Sequence, residues 1–209
     1  MRWVLLLVVS AIPWAGLRFF LLQGRRSAGA AVVAIWALIL TWGLGFLDHL
    51  VPGFCARVFP GAATYAQETM RWVETGQGCE GDPACFVPQH VAHLAVFLVA
   101  TLGTGGLGGL LMATVLFGWM GAYTGELWRT TGNALALAAG WHPWAVLRVA
   151  GFVSLGVAFS EPLLRRDLAV LRRSWRWWTA GFLLVLADMV LKGFAAGWWR
   201  TGVLASLFR

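Results

Sequence analysis

From Gln89 to Leu127 the sequence reads QHVAHLAVFLVATLGTGGLGGLLMATVLFGWMGAYTGEL. The one formally charged residue in this stretch is Glu126. A membrane-spanning helix uses roughly 20 apolar residues, so this run is too long for one ordinary span and just long enough for two short ones. The break is written into its middle, Gly103-Thr104-Gly105-Gly106-Leu107-Gly108-Gly109. Glycine is a poor helix-interior residue and a good turn residue. The run therefore reads as a central Gly-rich helical hairpin, with a re-entrant or broken helix as the alternative.

Working outward, the same reading finds four further apolar runs. The first spans Trp3 to Gln23 and contains Pro13 and Arg18. A signal peptide is its rival, because Arg2 precedes a short apolar core. The run stays apolar to Leu22 and shows no small-x-small cleavage signal, which favours an uncleaved span. A basic turn, Gly24-Arg25-Arg26-Ser27, leads to the second run, Ala28 to Leu47. Downstream lie Trp144 to Leu164 and Trp177 to Gly197. The expected architecture is an all-α polytopic membrane helix bundle of about six transmembrane helices, a single integral membrane domain over 1–209. Its spans are 3–23, 28–47, 89–104, 108–126, 144–164 and 177–197.

Composition agrees. The chain is 59% hydrophobic and 12% charged, whereas a soluble domain is about one quarter charged. The net charge of +7 comes from fifteen Arg and one Lys against nine acids. Most of the Arg flank apolar runs, as in membrane proteins, so no nucleic-acid partner is expected and the bilayer is. Many of the fourteen Trp also mark span ends, among them Trp42, Trp128, Trp144, Trp177 and Trp198, where indole favours the head-group layer.

An even number of spans puts the Arg25-Arg26 turn and the basic loop 165–176 on one side, with seven Arg between them. The positive-inside rule assigns that side to the cytoplasm. Both termini and the polar segment 50–88 then face outward, as in a multi-pass protein of a bacterial inner membrane. Residues 165–176 have the spacing of a short basic amphipathic helix on the membrane surface. Within 50–88, Thr64 to Val73 reads as a short interfacial helix.

Several polar groups are candidates for chemistry. Asp188 and Lys192 stand i, i+4 near the middle of the last span, and intramembrane ionisable residues are functional candidates by default. Arg18, Arg148 and Glu161 are possible further members of an intramembrane polar path. Glu161 also has Arg165 at i+4, and Pro162 loosens that helix end. A second group comprises Asp48, His49, His90 and His93 at the outer boundary. His90 and His93 share a helix face, and the group suits a metal, with Glu68 as a further oxygen donor, a haem, or a proton relay. Against this stands the bland reading, in which histidines at span ends bond to backbone or head groups. Cys79 and Cys85 have the spacing of a small disulfide loop, which leaves Cys55 over. A zinc site from the three thiols is the alternative.

No G-x-S-x-G, H-E-x-x-H or phosphate-loop pattern occurs, so no catalytic residue is assigned. Three functions remain in view. One is a small transporter, channel or substrate-binding membrane subunit. Another is a membrane enzyme or redox protein using the outer His/Asp face with a metal or haem. The third is an accessory subunit of a larger membrane complex. A chain of this size is expected to work as a homo-oligomer or with partners.

Overall fold

The computed structural model describes residues 2–209, and among them no β-strand occurs. Ten α-helices follow one another: α1 Arg2–Leu22, α2 Arg26–Leu50, α3 Phe54–Val58, α4 Ala62–Thr75, α5 Pro83–Thr104, α6 Leu107–Thr131, α7 Ala136–Ala139, α8 Pro143–Arg165, α9 Val170–Arg173 and α10 Trp175–Trp198. A single 3₁₀ turn, Cys79–Gly81, precedes α5, and π-helical and 3₁₀ turns extend α10 to Phe208. Six helices, α1, α2, α5, α6, α8 and α10, are long and apolar enough to cross a membrane. At 1.5 Å per residue each is longer than the roughly 30 Å hydrocarbon layer. Their outward faces are apolar: Phe194 is 86% exposed and Val99 74%. Such side chains suit lipid, and the protein is a multi-pass helical membrane protein.

The chain divides into two compact units. The first comprises Met1–Leu38, Val91–Thr114 and Leu147–Ala187. Its core gathers Leu17, Leu21, Val33, Leu110 and Val157, with Trp14, Trp36 and Trp177 packed against it. The buried positions of α1, Leu6, Ser10, Pro13, Leu17 and Leu21, follow a three-to-four-residue spacing that makes one face. Pro13 lies on that face, and its lack of an N–H leaves the Val9 carbonyl without its helical donor. The hydroxyls of Ser10 and Thr114 meet at 2.7 Å and also bond to carbonyls one turn back, Leu6 and Leu110. Backbone bonding of this kind satisfies small hydroxyls within an apolar helix. The α5–α6 hairpin turns at Gly105 and Gly106, with φ of +59° and +101°. A side chain is disfavoured at these angles. A Cβ on Gly106 would also come within 2.4 Å of the Ser160 hydroxyl.

The second unit comprises Ile39–His90, Val115–Val146 and Asp188–Arg209. It holds the polar segment. Cys79 and Cys85 are joined in a disulfide, and Cys55 is a buried free thiol. Helix α4 buries Ala62, Ala66, Thr69, Met70, Trp72 and Val73 and leaves Gln67, Glu68, Arg71 and Glu74 exposed. This half-buried pattern is the amphipathic period of a helix at a boundary. The Trp119 indole donates to the Pro60 carbonyl at 2.6 Å.

Two local expectations differ from the fold. Helix α5 begins at Pro83 rather than near Gln89, so Pro88 lies inside it. Proline there sacrifices one backbone hydrogen bond to the Ala84 carbonyl, which an early helical turn tolerates better than a mid-helix position. Residues 165–176 do not form a continuous amphipathic helix. Arg166 takes a left-handed φ of +54°, and the Asp167 carboxylate accepts the Ala169 N–H at 2.9 Å. That Asx turn competes with helix and leaves only the short α9.

Candidate functional site

The second unit contains a buried chain of ionisable side chains. Asp188 and Lys192 lie on α10, about 15 and 9 Å along the axis from Trp198 at 1.5 Å per residue. Asp188 is 0% exposed and Lys192 1%. From α5, the His90 Nε2 lies 3.7 Å from Asp188 Oδ2. From the 3₁₀ turn before α5, Glu80 Oε2 lies 2.9 Å from the Lys192 ammonium. Phe86 joins the two pairs: its ring centre is 4.6 Å from Lys192 Nζ and 5.6 Å from the His90 ring. Phe86 and His90 are one helical turn apart on α5, so they share a face. The Lys192 ammonium thus has a carboxylate and an aromatic ring face as partners, both favourable to a cation in a dry environment.

The charges of this cluster decide its chemistry. Glu80 faces the Lys192 ammonium and Asp188 faces His90, so the cluster brings together two carboxylates, one ammonium and one imidazole. An uncompensated charge is costly in a low-dielectric interior. At 3.7 Å the His90–Asp188 pair is wider than a charge-assisted hydrogen bond, about 2.8 Å. Glu80, 15% exposed in its side chain, is the member with the most access to solvent.

A second polar group surrounds His142, which is 2% exposed. Its ring stacks on Trp144 with centroids 4.7 Å apart and meets Trp72 edge-on at 5.7 Å. Its Nε2 lies 3.5 Å from the Tyr123 hydroxyl. Next to α3, the Asp48 carboxylate accepts the Cys55 N–H at 2.7 Å and an Arg129 N–H at 3.1 Å. Arg129 also bonds Glu126, Nε to Oε2, at 3.2 Å. Burial, and then the neighbouring Asp48 charge, push the Cys55 thiol far above its ordinary range, so it stays protonated and is a poor nucleophile.

The residues singled out from sequence therefore separate. Asp188, Lys192 and His90 come together, joined by Glu80 and Phe86. Arg18, Arg148 and Glu161 belong to the first unit. Arg18 lies on an exposed face with its guanidinium 6.0 Å from the Trp14 ring centre. Glu161 is fully buried and clamped by Arg26 at 2.6 Å and Arg165 at 3.0 Å. Arg165 also donates to the Leu21 carbonyl at 2.7 Å. Among the described residues no three His, Cys, Asp or Glu side chains are placed to hold a metal ion. Asp48 is engaged by Arg129, and His49 stacks on Trp128 at 3.8 Å.

Sequence reasoning missed Glu80, Phe86, Tyr123, Arg129 and His142. Glu80 resembles an ordinary solvated acid of a polar segment, and only the fold brings Lys192 against it. No protein-family model matches the chain, and no curated protein or solved structure is similar to it.

Proposed function

We propose that the protein is a small membrane transporter, or the substrate-conducting subunit of one, in which the His90–Asp188 and Glu80–Lys192 pairs form a proton-binding site that couples transport to a proton gradient. The observation that supports this reading is the gathering of four ionisable groups, with His90, Asp188 and Lys192 buried and Glu80 partly so. Such groups are rare in membrane helices and mark ion pathways and proton relays. In the proton-bound state the cluster is neutral and closed. Losing the proton leaves a net −1, which draws in a cation or loosens the contacts between α10 and the start of α5. Glu80, the most solvent-accessible member, is the entry point.

The site lies toward the Trp198 end of α10. The distribution of Arg supports an outward orientation for this end, with the disulfide and both chain termini on the same side. No phosphate-binding loop occurs in the chain, so an ion gradient is the natural energy source, and a homo-oligomer or partner subunit completes the pathway.

The test is potential-driven proton flux in proteoliposomes loaded with a pH dye. Wild-type protein is expected to conduct protons above protein-free vesicles. Asp188→Asn, which keeps the side-chain shape and removes the charge, is expected to lower the flux by about tenfold or more at unchanged thermal stability. Equal flux in both proteins, or none above empty vesicles, contradicts the proposal and favours the accessory-subunit reading.

A further inference from the structure

A pocket of ≈ 500 Å³ opens in the second unit, within the usual range for small-molecule sites. It shares no residue with the buried cluster, so what it binds is a separate question from the proton reading. Its apolar wall includes Ala56, Ala66, Met70 and Ala122. Its charged lining is Asp48, Arg71, Glu74, Glu126 and Arg129.

The bonding of these five residues shows which charge remains available to a ligand. Arg129 is committed on several sides, to the Asp48 carboxylate, to the Asp48 carbonyl and to Glu126. Asp48 spends both oxygens, one on Arg129 and one on the Cys55 N–H. Glu126 uses only Oε2 for Arg129, and its side chain is 47% exposed. Among the described residues Glu74 makes no ion pair. Arg71 reaches the Gln77 carbonyl oxygen at a long 3.4 Å. Three carboxylates against two guanidiniums leave the lining at −1. The carboxylate oxygens that remain free belong to Glu74 and Glu126, on α4 and α6 across the same pocket.

We infer that this pocket binds a small organic cation, an ammonium or amidinium group carried on a compact apolar body. The cationic head sits with Glu74 and Glu126, and the body lies against Ala66, Met70 and Ala122. One positive charge neutralises the lining, and the alanine-rich wall leaves room for a ring or short chain.

Three probes with the same ring and different charge test the inference: benzylamine, benzyl alcohol and benzoate, each titrated calorimetrically into the detergent-purified protein. Benzylamine is expected to bind at least about tenfold more tightly than either of the others. Glu74→Gln and Glu126→Gln are each expected to weaken it by about three- to tenfold. Glu74→Gln alters an exposed side chain without an ion pair, so its fold is safe. Ala63→Trp, at an exposed lining position of α4, fills the pocket and is expected to abolish binding. Benzoate binding as tightly as benzylamine, indifference to all three substitutions, or no binding of any probe up to about 10 mM overturns the inference.

Discussion

Lys192→Met is expected to destabilise the protein by about 3–5 kcal/mol, the cost of breaking a buried ion pair by removing one partner. Methionine matches the length and apolar stem of lysine, so packing against Phe86 is largely kept and the loss is electrostatic. The ammonium is 1% exposed and is the only lysine in the chain. Without it, the Glu80 carboxylate loses the ammonium 2.9 Å away. The double variant Lys192→Met/Asp188→Asn removes the Asp188 carboxylate and leaves Glu80, which has some solvent access. It is therefore expected to be more stable than Lys192→Met alone, with a coupling of about 1–3 kcal/mol. Denaturant unfolding in detergent micelles, followed by tryptophan fluorescence, reads both values. Additive losses would show that Lys192 and Asp188 do not share one electrostatic site.

Much of this cluster is legible in the sequence and part of it is not. Asp188 and Lys192 announce themselves, because two ionisable residues one helical turn apart inside an apolar run have few bland explanations. His90 is visible as a titratable group. Its local spacing, however, points to His93, whereas the fold sets it against Asp188, nearly a hundred positions away. Periodicity carries no information on a contact of that range. Glu80 is masked for a different reason. It lies in a polar segment among other acids, and its burial arises only where the last span returns. The six long helices and the Gly-rich hairpin were readable because each depends on local composition. Residues 165–176 carried a basic helical pattern, but the Asx turn at Asp167 and the left-handed Arg166 broke it, which shows how local side-chain bonding overrides an amphipathic pattern.

Gly118→Ala is the second large effect. A Cβ added at this position of α6 would lie 2.1 Å from Cγ of Phe59 and within 2.5 Å of both Cδ atoms. Phe59 cannot easily withdraw. It is 4% exposed, its N–H donates to the Cys55 carbonyl at 2.8 Å, and the next residue, Pro60, accepts the Trp119 indole. A rigid ring on a pinned backbone leaves α6 to move, and overpacking of this kind costs about 1–3 kcal/mol or more. Phe59→Leu in the same chain makes room for the methyl group. The pair is expected to lose less stability than the sum of the two single substitutions, as contacting residues do. A thermal-melting series of the four proteins checks it. A Gly118→Ala variant as stable as wild type would mean that α6 and the α3–α4 corner are not packed this closely.

One exchangeable proton on the cluster of Glu80, His90, Asp188 and Lys192 has a countable signature. The most direct test counts the protons taken up by weakly buffered, detergent-purified protein between about pH 9 and pH 5, for wild type and Asp188→Asn. Asp188→Asn removes the carboxylate that lies 3.7 Å from the His90 Nε2. The variant is expected to take up about one proton fewer per chain over this range. Equal counts in the two proteins would mean that His90 titrates without regard to Asp188, and the coupled proton site would be withdrawn.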